Sequence, residues 1–298
     1  MMNYLKRYYI LYLMCLPAMV FYIIFKYIPM YGVVIAFKDY NIFEGMTASE
    51  WVGLKVFKEV FSQPFFWQAI KNTLILNLLT LLVSFPLTIL LSLMLNEVRA
   101  PKFKKFAQSL LYLPYFISWV VVAGLVTNLF SLNTGSVNML LSKLGIGPVS
   151  FLIEEKWWIF TYIVSQVWKN LGWGTIIYLA ALAGVDETLY EAAYMDGATK
   201  LQRIWHITLP SIKNTIVVMF ILQISKMMAI GLDAPLLLQN DKVINVAEVI
   251  STYVYKVGLV RVEYSLATAI GLFQAIVNIT LLFIANTLTK AVGEKGVF

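Results

Sequence analysis

Long apolar runs alternate with short polar segments from one end of the chain to the other. Six runs, at residues 9–31, 69–95, 109–130, 157–183, 212–238 and 265–288, reach the roughly 20 residues that an α-helix needs to cross a bilayer. The pattern predicts an all-α integral membrane protein with six transmembrane helices. Pro17 and Lys26 interrupt the first run, Pro86 is expected to kink the second, and Pro114 interrupts the third. The segments 32–68, 131–156 and 239–264 are too polar to span. They read as external, the first with short helices and the last with an amphipathic helix over 246–257.

Several runs carry a polar stripe. Asn77, Thr80, Ser84 and Thr88 share one helical face, as do Gln166, Lys169, Asn170 and Trp173. Gln223 and Lys226 form a stripe in the fifth run, and Gln274 and Asn278 stand four apart in the sixth. Tyr112, Tyr115, Phe116 and Trp119 lie on one side of the third. Polar groups inside a membrane are costly and must face a cavity or a partner. Two readings stay open for each of Asn77, Tyr112, Trp119, Gln166, Lys169, Asn170, Trp173, Gln223, Lys226, Gln274 and Asn278. They line a hydrated substrate pathway, or they make hydrogen bonds and packing contacts between helices.

Composition agrees with the pattern. Of 298 residues, 60% are hydrophobic and 13% charged, and the mean hydropathy is +0.77. A soluble domain is nearer a quarter charged. The net charge of +7 is that of basic residues flanking spans rather than of a nucleic-acid surface. Arg99, Lys102, Lys104 and Lys105, with Lys6 and Arg7, place the loop 96–108 and both termini in the cytoplasm. The first run lacks a cleavage site and reads as a retained anchor. Cys15 has no intrachain partner, and the single His206 has no Cys/His set around it, so a metal site is not expected.

One polar segment, 186–210, is dense in charge and lies between the fourth and fifth runs. Asp186 is placed to cap a helix starting at Glu187. Leu189, Ala192, Ala193 and Met195 give that helix an apolar side. Gly197 ends it. A second short helix is expected over 200–206, and Pro210 suits the first turn of the next span. Local physics predicts a small helix-turn-helix at the membrane surface, with a plain surface loop as the bland alternative.

The spacing within this segment is specific. Glu191-Ala192-Ala193 is followed after three residues by Gly197, and after nine more by Ile207, Leu209 and Pro210, with Asp196 before the glycine. This resembles the signature loop of permease subunits of binding-protein-dependent ABC importers. The stretches IPMYGVVIAFKDY at 28–40 and GEKGVF at 293–298 are similar to carbohydrate permeases of the polysaccharide or oligosaccharide type, the maltose-permease-like family.

The resemblance implies a type I ABC importer permease fold. Residues 1–66 would form an N-terminal helix and external segment, and residues 67–298 the permease core. It implies that Glu191, Ala192, Ala193, Asp196, Gly197, Ile207, Leu209 and Pro210 form a coupling element docked on an ATPase subunit, with Glu191 and Gly197 central. It also implies a bacterial cell membrane, a second related permease subunit, two ATPase subunits, an external solute-binding protein and an oligosaccharide substrate. No G-x-x-x-x-G-K-[ST] stretch occurs. The chain is therefore expected to bind no cofactor and to be no enzyme, with ATP and magnesium held by the partner ATPase. The same loop would serve a permease for peptides or phosphonates. An ATPase-independent transporter is the remaining alternative; it would carry discontinuous helices and paired repeats, which the sequence does not signal.

Overall fold

The computed structural model describes residues 2–291, and the GEKGVF stretch and Lys295 lie outside the described residues. The structure is helical apart from one two-stranded hairpin. It divides into two compact units, residues up to Pro64 with Val254–Phe273, and Phe65–Tyr253 with residues from Gln274 on.

The first unit begins with helix α1 (Met2–Tyr22), which continues through Pro17 and passes into a π-turn at Ile23–Tyr27. The apolar stretch Tyr8–Phe37 is long enough to span, and none of its apolar window is buried in the chain itself. Strand β1 (Lys38–Asp39) pairs antiparallel with β2 (Glu50–Trp51), Lys38 opposite Trp51. The Lys38 ammonium closes the hairpin, donating to the carbonyls of Met46 at 2.7 Å and Ser49 at 3.1 Å. Ser265 pins the same strand, donating to the Lys38 carbonyl at 2.7 Å and accepting from the Tyr40 N–H at 3.0 Å. Helix α2 (Lys55–Ser62) follows, its Phe57 ring 5.3 Å from that of Phe37.

The second unit contains α3 (Pro64–Glu97, from Phe65), α4 (Pro101–Phe116), α5 (Trp119–Phe130), α6 (Ser136–Lys143) and α7 (Glu155–Leu182). Then come α8 (Glu187–Met195), α9 (Lys200–Arg203), α10 (Lys213–Ile224), α11 (Asp233–Leu238) and the latter part of α12 (Tyr264–Ala291). Its main core joins Leu76, Val122, Val126, Trp158, Tyr162, Ala234, Val243 and Val249. Trp158 is fully buried and keeps its indole N–H satisfied by donating to the Leu238 carbonyl at 2.8 Å. Buried Thr73 accepts from the Ile250 N–H at 2.9 Å, tying the irregular segment after α11 to α3.

Four expectations change. The third run is not one helix: α4 and α5 meet at 99°, at Ile117–Ser118 rather than at Pro114. The fifth run is not one helix either. After a 63° bend at Ile212, α10 ends at Ile224, and turns and irregular backbone fill 225–232 before α11. Twelve residues make about 18 Å of helix, short of a membrane crossing. The amphipathic helix over 246–257 is split into Ile244–Ala247 and Ile250–Tyr255. Discontinuous helices are thus present, against the sequence reading.

Helix α3 continues through Pro86 without a break. Among the described residues, three helices are long and apolar enough to cross a membrane, or five if each bent pair counts once. The fourth expected span, α7, has the length, but Gln166, Lys169 and Asn170 dilute its apolar character.

Candidate functional site

The loop between α7 and α10 is built from local rules. Asp186 sits at the N-cap of α8 and its Oδ1 accepts from the Thr188 N–H at 2.9 Å. That backbone bond, with the Thr188 side chain, holds the exposed carboxyl below the usual carboxylate range. At the other end, Gly197 has φ +74°. Its N–H donates to the Tyr194 carbonyl at 3.1 Å, and the Ala198 N–H to the Ala193 carbonyl at 2.9 Å. These two bonds make a Schellman ending. No atom lies within 4 Å of a Cβ built at Gly197, so the backbone angle alone demands glycine.

A capping box then starts α9. The Thr199 N–H donates to Gln202 Oε1 at 2.7 Å, and the Gln202 N–H to Thr199 Oγ1 at 3.4 Å. Sequence reasoning missed it, although the T-x-x-Q spacing is its ordinary sign. The expected helix 200–206 is α9 followed by a π-turn at Ile204–Thr208. Pro210 lies in the first turn of the short helix Leu209–Ser211. Tyr190 and Thr208 share a hydroxyl hydrogen bond of 3.0 Å that folds the two halves together.

This fold presents a surface. No residue of α8 is buried. Glu191, Ala192, Asp196, Gly197 and Pro210 are exposed, while Ala193, Ile207 and Leu209 are half-buried. Tyr194 (70% exposed), Met195 (84%) and Trp205 (66%) add large apolar area. Between the halves lies a cavity of ≈ 320 Å³, lined by Ala193, Asp196, Gly197, Gln202, Arg203 and His206 among others. His206 donates to the Gln202 carbonyl at 2.9 Å. Lys200 pairs with Glu97 at 2.9 Å, placing the loop beside the end of α3.

The polar residues of the runs fall into three groups. The first sits at the α4/α5 break. Lys169, only 7% exposed, donates to the carbonyls of Pro114 (3.2 Å), Tyr115 (2.8 Å) and Ile117. A cation thus answers the carbonyls left open at the C-terminus of α4. Its ammonium lies 5.8 Å from the Tyr115 ring and 5.6 Å from that of Trp119. Trp173 stacks on Tyr115 with centroids 4.5 Å apart. Tyr112 is half-buried one turn earlier.

The second group holds the irregular segment after α10. Asn77 donates to the Met227 carbonyl at 2.7 Å, Gln274 to the Met228 carbonyl at 2.5 Å, and Asn278 accepts from the Met228 N–H at 3.1 Å. Amides from α3 and α12 replace the helical bonds that the break removes. In the third group, Gln166 donates to the Tyr162 hydroxyl at 2.9 Å, and Asn170 to the Gln166 carbonyl at 2.8 Å. Asn170 and Gln223 also line a cleft of ≈ 90 Å³ with Ser84, Thr88, Gly174 and Tyr178. Lys226 is exposed and makes no side-chain hydrogen bond or ion pair among the described residues.

Comparison with known proteins places this geometry. Residues 88–294 match the family described as binding-protein-dependent transport system inner membrane component. Over 288 residues, 97% of this chain and 90% of the relative, it is 48% identical to the polygalacturonan/rhamnogalacturonan transport system permease protein YteP of Bacillus subtilis. It is 44% identical over 294 residues, 99% of this chain and 92% of the relative, to Protein LplB of the same organism. It is similar to a chain in the crystal structure of a bacterial ABC transporter that imports the acidic polysaccharide alginate. There the TM-score is 0.88 at 41% identity, covering 97% of this chain and 98% of that one. The broken helices and the exposed helix-turn-helix therefore belong to the type I ABC importer permease fold, and this chain is a member of the binding-protein-dependent transport system inner membrane component family.

Proposed function

We propose that this permease subunit moves a sugar oligomer into the cytoplasm, driven by ATP hydrolysed in a separate partner. Its relatives include permeases named for polygalacturonan/rhamnogalacturonan and for arabinooligosaccharides, and a structural neighbour concerned with alginate. In a further structure, the alginate transporter is in complex with an alginate pentasaccharide-bound periplasmic protein. By that likeness an external binding protein delivers the substrate here, and a second permease subunit completes the passage. The membrane is that of a bacterial cell, with both chain ends and the loop 186–210 in the cytoplasm. The Lys200–Glu97 pair supports placing that loop with the basic loop 96–108, which starts at the same end of α3.

The observation that carries the reading is the form of α8. It is capped at both ends by its own sequence, yet buries none of its residues. A helix so defined and so exposed is built to be covered by another protein. We assign that partner as the ATPase subunit, with Glu191 and Gly197 at the contact and Asp196 at its edge. ATP and magnesium would reside there, and this chain would hold neither. Asn170 and Gln223 line a cleft with Ser84, Thr88 and Tyr178, and such amides and hydroxyls can pair with sugar hydroxyls, which fits a sugar pathway.

Uptake of labelled oligosaccharide in cells carrying Glu191→Ala or Gly197→Ala tests the assignment. Both variants should insert normally and lose at least tenfold in uptake, with weaker recovery of the ATPase subunit on purification. Wild-type uptake in both would refute it.

A further inference from the structure

Charged side chains are few along the spans, and most are basic. Helix α3 has no acidic residue before its last, Glu97, which is already paired with Lys200. Helices α4, α5, α10 and α12 contain none, and α7 has only its first residue, Glu155. In the fifth run the acidic residue is Asp233, exposed at the start of α11 and seven residues beyond Lys226. Two lysines sit deep within these runs, Lys169 and Lys226, and their surroundings differ.

Lys169 is satisfied. Three carbonyls at the end of α4 accept from it, and two aromatic faces flank it. Its charge is answered within the chain. Lys226 is not. It lies in the irregular segment that interrupts the fifth run, where the neighbouring peptide of Met227–Met228 is held by Asn77, Gln274 and Asn278. The backbone at its root is thus fixed from two other helices. Its side chain is exposed and has no carboxylate partner among the described residues. An unanswered ammonium inside hydrocarbon is untenable, so this one meets water or an anion. Gln223, less than one turn earlier, opens on the polar cleft shared with Asn170.

We propose that Lys226 is a counter-charge for a carboxylate on the passing substrate, so that the transported oligosaccharide is an acidic, uronate-bearing one. This rests on the sugar-import reading above. A mobile ammonium on a fixed backbone attracts a carboxylate without gripping it in a bidentate fork, as arginine would. Helices α4, α5, α10 and α12, which carry no acidic side chain, impose no repulsion on a polyanion. A neutral sugar can accept hydrogen bonds from the lysine but brings no charge to offset its desolvation cost.

The test is uptake by cells producing the complete importer, wild type or with Lys226→Met or Lys226→Arg. The probes are labelled tri-galacturonate and tri-mannuronate, with their carboxyl-reduced neutral counterparts. Recovery of the partner subunits with this chain reports assembly. Wild type should take up an acidic trimer at least tenfold faster than its neutral counterpart. Lys226→Met should lose at least tenfold of that uptake while assembling normally, and Lys226→Arg should keep most of it. Full acidic uptake in Lys226→Met would overturn the proposal. So would failure of Lys226→Met to assemble, which would make Lys226 an interface residue. Uptake of the neutral trimers alone leaves sugar import standing and removes the counter-charge. Uptake of no trimer removes the sugar reading itself.

Discussion

Lys169 donates from α7 to the carbonyl oxygen of Tyr115 at 2.8 Å, so one ammonium closes the open end of α4 across 54 residues of sequence. Losing it leaves three buried or half-buried carbonyls without a donor, and an unmet buried polar group costs about 1–3 kcal/mol. Lys169→Met should lower the stability of the purified subunit by about 3 kcal/mol. Lys169→Arg should lose less. Thermal unfolding in detergent measures both, and an unchanged Tm in Lys169→Met would remove this lysine from the stability of the break.

Gly172 lets α4 and α7 touch. A Cβ there would run into the backbone carbonyl of Leu111, whereas one at Gly174 would meet only the Thr88 side chain, at 3.0 Å. Backbone cannot step aside and a side chain can. Gly172→Ala should therefore cost about 1–3 kcal/mol or more, and Gly174→Ala clearly less. Folded yield and Tm of the two variants should separate in that order.

Asn77 and Asn278 hold adjacent residues of one irregular segment, through the Met227 carbonyl and the Met228 N–H. Each alanine substitution should destabilise by about 1–3 kcal/mol. The two should not add, because freeing either end loosens the same segment. A double-mutant cycle read by thermal unfolding should give a coupling of at least about 0.5 kcal/mol; strict additivity would mean that the segment is held elsewhere.

Asp186 supplies a pH-dependent cap. Its carboxyl titrates below the ordinary value because the charged form accepts the Thr188 N–H. A depressed acid stabilises the folded state above its unfolded pKa, and that contribution fades as pH falls through the folded value. The cap should be intact at neutral pH and weaken only below the ordinary carboxylate value of 3.8. Asp186→Ala should make α8 more open to limited proteolysis at pH 7, and wild type should approach that rate only in strong acid. Equal cleavage of the two at pH 7 would discount the cap.

The membrane class, the apolar runs and the design of the loop 186–210 were legible in the chain alone. Asp186 as a cap, Gly197 as a stop and Pro210 in a first turn each follow from the backbone preferences of a few adjacent residues. The breaks at 117–118 and 225–232 were not legible. Prolines pointed to the wrong places: α1 and α3 continue through Pro17 and Pro86, and α4 runs past Pro114. A helix can stop within an apolar run only if something answers its freed carbonyls and N–H groups. Here the answers come from Lys169, Asn77, Gln274 and Asn278, about 50 to 150 residues away. Periodicity showed that these residues shared polar faces. Only the tertiary structure decided that these four serve the backbone of broken helices, and that Lys226 is left with its charge unanswered.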